Sequence, residues 1–336
     1  MKPDRPRAPT THAPPCAASI IDVIGNTPMV ELRRIGKLCG LQGRLLAKLD
    51  YLNPGFSKKD RIAREMMLTA CQKGELAPGQ TVVELTSGNT GTGLALVCRA
   101  LGHPFVAVMS RGNTRERTRM MQALGAEVVL VDQAPGAPPG QVSGADLALV
   151  EQRAQQLVQE RGAFRADQFQ QQANVWAHER HTGPEIWEQS QGKVDVFLDY
   201  VGTGGTFTGT ARFLKSKNSA IRCYVVEPAT APALAGGPIT NPSHKIQGGG
   251  YCRADLPLLD RSLVTDYLRV TDEEAIAGAR MLAAEEGIFG GFSSGAHLAA
   301  ALPLLRQRER GATIAFLICD SGLKYLSTDL FSTDAS

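Results

Sequence analysis

An α/β architecture built on mostly parallel sheets is predicted by three observations. β-Branched and apolar runs alternate with helical apolar patterns, two loops of small residues follow such runs and open helices, and no internal repeat interrupts the alternation. At 336 residues with 43% apolar content, the chain has enough material for one large domain or two of ordinary size.

Taken in order, Arg44 to Lys48 reads as a strand before a helix from Arg61 to Lys73, and Val82 to Glu84 as a strand before a helix from Gly93 to Leu101. Phe105 to Met109 precedes a helix from Arg115 to Leu124, and Glu127 to Val131 precedes one from Gly144 to Arg161. The Pro/Gly-rich stretch Ala134 to Gly144 reads as a surface loop. In the second half, Val194 to Val201 leads into Thr206 to Lys215, with further strands at Arg222 to Val226 and Thr313 to Ile318. Thr271-Asp272-Glu273-Glu274 has capping-box spacing, and the helix it starts runs to Glu286 before Gly287. Units of this kind place a site at the carboxyl ends of the strands.

Three segments carry chemistry. Thr86-Ser87-Gly88-Asn89-Thr90-Gly91 sits between a strand and a helix, where uncovered backbone N–H groups and the positive helix end attract a carboxylate or phosphate. Gly202-Thr203-Gly204-Gly205-Thr206 repeats the arrangement after the strand Val194 to Val201. It is not a dinucleotide fingerprint, because Phe207 stands at the third glycine position, and it lacks the Lys-Ser/Thr ending of a P-loop. In Asn53-Pro54-Gly55-Phe56-Ser57-Lys58-Lys59-Asp60-Arg61 a turn delivers lysine into a first helical turn, where a desolvated amine becomes a nucleophile. By itself that segment also reads as a solvated basic face of Lys58, Lys59, Arg61 and Arg64.

Bulk composition points to small substrates. A formal charge of +3, from 36 basic and 33 acidic side chains, argues against nucleic acid and anionic membranes. No apolar run approaches the roughly 20 residues of a membrane span, and Met1 to Ala18 reads as a disordered tail without an apolar signal region. Seven cysteines scattered without C-x-x-C pairs suit a reduced, cytoplasmic protein with no metal site, and Cys98 and Cys319 read as buried hydrophobes.

A reactive lysine, a phosphate cup and a carboxylate loop are the parts needed to hold pyridoxal 5′-phosphate and an amino acid. From Ile20 to about Phe331 the chain resembles the cysteine synthase and cystathionine β-synthase family of fold type II pyridoxal-phosphate enzymes. The resemblance rests on Ile24-Gly25-Asn26-Thr27-Pro28, the three segments above, Gln168-Phe169 with Asn174 and His178, Thr182 to Ile186, Lys245 to Gly248, Ser293-Ser294-Gly295, Asp320-Ser321-Gly322 and Tyr325 to Thr328. It is most like the O-acetylserine sulfhydrylase type of cysteine synthase.

The resemblance implies two three-layer α/β/α domains with the cofactor in the cleft between them. Residues 19–52 and 172–330 would form the larger, phosphate-binding domain, and 53–171 the smaller one with a mobile lid over roughly Gly88 to Gln156. Lys59 would be the Schiff-base lysine and catalytic base, leaving Lys58 at the surface. Asn89 would meet the cofactor's ring oxygen, Gly202, Thr203, Gly204, Gly205 and Thr206 its phosphate, and Ser321 its pyridine nitrogen, with Ser293 also binding the cofactor. Thr86, Ser87, Gly88, Asn89, Thr90 and Gln168 would hold the substrate carboxylate, with Gly248 and Tyr251 beside the substrate. The implied reaction is β-replacement on O-acetyl-L-serine or a relative through an aminoacrylate, with sulfide or a thiol giving L-cysteine.

A homodimer is implied too, and docking of a serine acetyltransferase C-terminal tail. Departures at Asn113-Thr114 and at Gly249-Gly250-Tyr251-Cys252-Arg253 leave substrate choice open. Tyr251 leans toward cystathionine β-synthase-type condensation with homocysteine. A cysteine β-lyase releasing hydrogen sulfide is a further alternative, as is a non-catalytic, partner-binding relative.

Overall fold

A computed structural model describes residues 16–86, 88–136, 142 and 144–332. Residues 1–15 of the expected tail, Ser87 of the first loop, and 137–141 and 143 of the expected surface loop lie outside the described residues. The strands form two sheets. The larger has the spatial order Met29–Glu31, Arg44–Lys48, Thr313–Leu317, Val196–Tyr200, Arg222–Pro228, Asp266–Val270, and only Met29–Glu31 pairs antiparallel. The smaller runs Glu127–Val131, Phe105–Ser110, Val82–Leu85, Phe164–Arg165 and is parallel throughout.

Parallel strands need crossovers, and helices supply them on the sheet faces. Val196–Tyr200 and Thr313–Leu317 are buried at every position, which is why they read as unbroken apolar runs. Helix Lys59–Lys73 packs mainly against helices Asn89–Leu101 and Ala173–Ala177, its Ile62, Ala63, Met66, Met67 and Ala70 joining the apolar core that these share with the smaller sheet. It starts two residues before Arg61, so Lys59 is its first helical residue. The capping box at Thr271 and Glu274 is present, and Gly287 closes that helix in the left-handed region.

Two elements differ from expectation. Asp266–Val270 is an edge strand that carries Asp266 and Arg269 without a period-two pattern, and helix Phe292–Gln307 contains Pro303 and is buried nearly all round. A helix without a polar face lacks the amphipathic period by which helices are recognised. Among the described residues, no helix is long and apolar enough to cross a membrane.

Between the sheets lies a buried ionic cluster. Arg61 donates from Nε to Asp50 Oδ2 at 2.9 Å and from Nη1 to Glu185 Oε1 at 2.6 Å, and Lys48 Nζ lies 2.6 Å from Glu185 Oε2. Two cations and two carboxylates balance there.

Candidate active site

Strand Val82–Leu85 delivers Thr86 to the start of helix Asn89–Leu101. The Thr86 hydroxyl oxygen accepts the N–H groups of Gly88 at 2.9 Å and Gly91 at 2.8 Å, curling the loop around itself. A Cβ on Gly91 would lie 2.3 Å from Met121 Sδ, so only glycine fits there. Thr90 Oγ1 donates to Gln168 Oε1 at 2.6 Å, and Gln168 Nε2 donates to the Leu85 carbonyl at 3.2 Å. Asn89 bonds at both ends of its amide: Nδ2 donates to Asp320 Oδ2 at 2.7 Å, and Oδ1 accepts from Lys324 Nζ at 2.7 Å.

The second loop follows strand Val196–Tyr200 and opens helix Gly205–Lys217, with Gly204 in the left-handed region at φ 91°. Asn174 joins the second loop to Gln168, the partner of Thr90 in the first. Its Nδ2 donates to the Gln168 carbonyl at 2.8 Å and to Thr203 Oγ1 at 3.0 Å. His178 Nε2 lies 3.1 Å from Thr206 Oγ1. A Cβ on Gly205 would lie 2.1 Å from Asn174 Oδ1. Gly205→Ala therefore forces Asn174 aside, and a steric insertion of this kind costs about 1–3 kcal/mol. The expected result is cofactor binding weakened about tenfold or more, measured by equilibrium titration of the stripped protein with pyridoxal 5′-phosphate.

Lys59 is buried, with no hydrogen-bond partner for its Nζ among the described residues. Burial, then the neighbouring Lys58 charge, pulls its amine down to about 8, against opposing pulls from Asp199, Cys319 and Asp320. The expectation that Lys58 lies at the surface is wrong. Lys58 is 7% exposed and donates from Nζ to Asp199 Oδ1 at 2.8 Å. The lysine pair reads as a basic face in sequence because the buried carboxylate that receives Lys58 lies far away along the chain.

The remaining expected residues divide into two groups. Ser321 and Ser293 are buried, and Asp320 and Ser321 pair with Ser57 and Gly290, respectively, which sets the turn beside the Lys58-Lys59 segment. Gly248 meets the phosphate-type loop, since a Cβ on Gly202 would lie 2.7 Å from its carbonyl oxygen. Tyr251 instead stacks edge-on against Phe169, with ring centroids 5.8 Å apart, and Arg253 lies over the same Phe169 ring. Gly248 and Tyr251 also line a cavity of about 310 Å³ with Asn113, Arg117 and Ser327, a space that Lys59 and Thr86 do not border.

Residues missed in the sequence include Lys58, Asp199, His297 and Lys324. Lys324 is buried and donates from Nζ to the Gly55 carbonyl at 2.9 Å as well as to Asn89. Its position between Asp320-Ser321-Gly322 and Tyr325 to Thr328, two segments singled out in the sequence, was the local signal. Asp199, His297 and Cys319 lie within 4.8 Å of one another, but both His297 ring nitrogens are engaged by backbone groups.

The residues present fit pyridoxal phosphate. Its phosphate finds a cradle that any side chain at Gly205 would fill, lined by the buried hydroxyls of Thr203 and Thr206 at a helix N-terminus. Its aldehyde finds an unpaired, depressed amine at Lys59. Asn89 would exchange its bond to Asp320 or Lys324 to meet the ring oxygen, and the buried Ser321 hydroxyl would face the ring nitrogen.

Residues 20–320 match the family described as pyridoxal-phosphate dependent enzyme. Cysteine synthase 3 of Caenorhabditis elegans is 43% identical over 314 residues, 93% of this chain and 89% of that protein. Cysteine synthase A of Escherichia coli K12 is 42% identical over 318 residues, 92% of this chain and 94% of that protein. The crystal structure of a hydrogen sulfide-producing enzyme from Fusobacterium nucleatum superposes with a TM-score of 0.84 at 38% identity, covering 93% of this chain and 100% of that one.

Proposed function

Since the chain belongs to the pyridoxal-phosphate dependent enzyme family, we propose that it catalyses β-replacement on an O-activated L-serine, with sulfide or a related thiol as nucleophile and L-cysteine as product. The observation that carries this reading is the linkage of the Thr86–Gly91 loop to the Gly202–Thr206 loop through Gln168 and Asn174, beside a buried free amine at Lys59. Both similar cysteine synthases support it.

When bound, pyridoxal phosphate supplies an electrophilic carbon for amino groups and an electron-withdrawing ring that acidifies the adjacent C–H bond. The protein supplies the rest. The N–H groups of Asn89 and Thr90 at the helix start, with the Thr90 hydroxyl and Gln168, receive the substrate carboxylate and aim its α-hydrogen at Lys59. Lys59 Nζ takes that proton while the β-substituent departs, and returns it after the thiol has added. Ser321 offers the ring nitrogen a neutral hydroxyl rather than a carboxylate. A ring held this way is a weaker electron sink, which suits rapid loss of a β-substituent over prolonged carbanion chemistry.

The division into residues 19–52 with 172–330 and residues 53–171 belongs to the same proposal. Movement of the second unit over the substrate would exclude water from the reacting carbon. A homodimer, and docking of a serine acetyltransferase tail, also belong to it.

Purified protein is expected to be yellow. It is expected to turn over O-acetyl-L-serine with sulfide to cysteine faster than it turns over O-phosphoserine with sulfide, serine with homocysteine to the thioether, or cysteine to sulfide. A colourless protein indifferent to pyridoxal phosphate overturns the reading. Sulfide release from cysteine exceeding cysteine formation assigns the lyase reaction instead, which the hydrogen sulfide-producing relative favours. Thr86→Ala removes the acceptor for two loop N–H groups. The KM for the amino acid substrate should rise about tenfold, in line with about 1–2 kcal/mol for a lost hydrogen-bonding group, with the resting absorbance unchanged. Loss of colour in that variant would mean that the two loops have exchanged roles.

A further inference from the structure

Lys58 has no part in the chemistry above, yet it is one of the most constrained side chains near the site. It is the N-cap residue of the helix that Lys59 opens, its backbone N–H donates to the Cys319 carbonyl at 2.8 Å, and its ammonium is fixed on Asp199. Asp199 is 1% exposed and lies on strand Val196–Tyr200, which leads directly into the Gly202–Thr206 loop. Behind it, His297 Nε2 accepts the Tyr200 N–H at 2.6 Å, and Nδ1 faces the Leu317 carbonyl at 2.7 Å. The Tyr200 N–H aimed at Nε2 favours a neutral ring that donates from Nδ1, whereas, against burial, Cys319 and Asp199 pull the imidazole up to about 9. Asp199 Oδ1 lies 3.5 Å from His297 Nε2 and 2.8 Å from Lys58 Nζ, so Lys58 is the cation in hydrogen-bond contact with it.

Stability gives no reason for such a pair, because two desolvated charges commonly contribute no more than an apolar pair of the same volume. Its position does give one. We propose that Lys58 is a positioning residue for the reactive amine: it occupies Asp199, which would otherwise capture Lys59 as half of a buried ion pair, and sets a fixed positive charge against a second ammonium beside it. The proposal rests on the reading of Lys59 as the reactive amine. The charged groups acting on Lys59 are Lys58, Asp199, Cys319 and Asp320, and the buried His178, held well below its ordinary value first by burial and then by Lys58, Arg61 and Lys59, is coupled to it. Of these, only Lys58 disfavours its protonation, and it is the largest influence after burial. The helix N-terminus acts in the same direction. With Lys58 removed, burial is opposed by Asp199 and Asp320, and Lys59 has every reason to stay charged.

The test is a titration of the Lys59 amine. The full chain is freed of cofactor with hydroxylamine, acetylated with trace acetic anhydride across a pH series, and the Lys59 peptide is quantified by mass spectrometry. The wild-type midpoint is expected at about 8. In Lys58→Met the midpoint should rise by about one pH unit or more, so that labelling at pH 7 falls about tenfold. Lys58→Arg should keep the wild-type midpoint, because it keeps the charge. In Lys58→Met/Asp199→Asn no buried charge is left unmatched, which protects folding, and the midpoint should lie between those of the wild type and Lys58→Met. A wild-type midpoint in both methionine variants overturns the proposal, since loss of packing alone would lower stability without moving a titration. Failure of the underlying reading looks different: borohydride reduction of the protein as purified would leave the phosphopyridoxyl group on a residue other than Lys59, or on none.

Discussion

Lys59→Ala is expected to lower turnover by between about 100-fold and 10,000-fold, the range that a positioned proton-transfer group supplies. The protein should still fold, because the lost ammonium has no hydrogen-bond partner among the described residues and its burial is a cost. The same variant carries a thermodynamic signature in the cofactor-free chain. With burial as the largest cause, the folded-state amine titrates at about 8 instead of the ordinary 10.5. Between those values the unfolded chain binds more protons at this site than the folded one, so the stability contributed by the site rises with pH. Wild-type protein should gain stability over that window, and Lys59→Ala should lose this part of the gain. Denaturant midpoints at a series of pH values, read beside the rate of cysteine formation, measure both effects. A Lys59→Ala protein with more than about one-tenth of wild-type turnover would remove Lys59 from the proton-transfer role.

The carboxylate loop and the phosphate-type loop are legible in sequence because their requirements are local. Thr86 must accept N–H groups two and five residues on, Gly91 must clear Met121, and Gly205 must clear Asn174, so small residues cluster where backbones approach. Strands Val196–Tyr200 and Thr313–Leu317 are legible because each is buried on both faces. The electrostatics are not. Lys58 looks like any surface lysine until strand Val196–Tyr200 brings Asp199 to it across 141 residues of chain. Lys324 likewise acquires its meaning from Asn89, 235 residues away. Helix Phe292–Gln307 escaped for a different reason, having no polar face to reveal its period. Local propensity is written in neighbouring residues, whereas the partner of a buried charge is chosen by topology.

The same distinction governs the largest expected loss of stability. Arg61 belongs to the nine-residue segment that carries Lys59, yet its partners come from elsewhere: Asp50 receives Nε and Nη2, Glu185 receives Nη1 and Nη2, and the Thr27 hydroxyl accepts from Nη2 at 3.1 Å. The Arg61 side chain is 0% exposed, as is that of Asp50. Arg61→Met preserves much of the volume but leaves Asp50 and Glu185 with Lys48 as the remaining cation of the cluster. Removing one partner of a buried pair costs about 3–5 kcal/mol, which corresponds to a melting temperature lower by on the order of 10 °C. Acid sensitivity should change as well. Burial raises Glu185, but the Arg61 hydrogen bonds and charge, followed by Lys48, bring it down to about 2 from 4.5. A depressed carboxylate stabilises the folded state above its unfolded value, and that stability is lost as pH falls toward the folded value. Wild-type protein should therefore lose this contribution between about 4.5 and about 2, whereas Arg61→Met starts from a lower plateau and has less of it to lose. Arg61→Met/Asp50→Asn, which removes one of the stranded carboxylates, should recover part of the loss. Equal stability of wild type and Arg61→Met at pH 7 would show that the cluster supplies no net cohesion between the two sheets, and that the segment presenting Lys59 is held by the apolar contacts of Ile62, Met66 and Met67 alone.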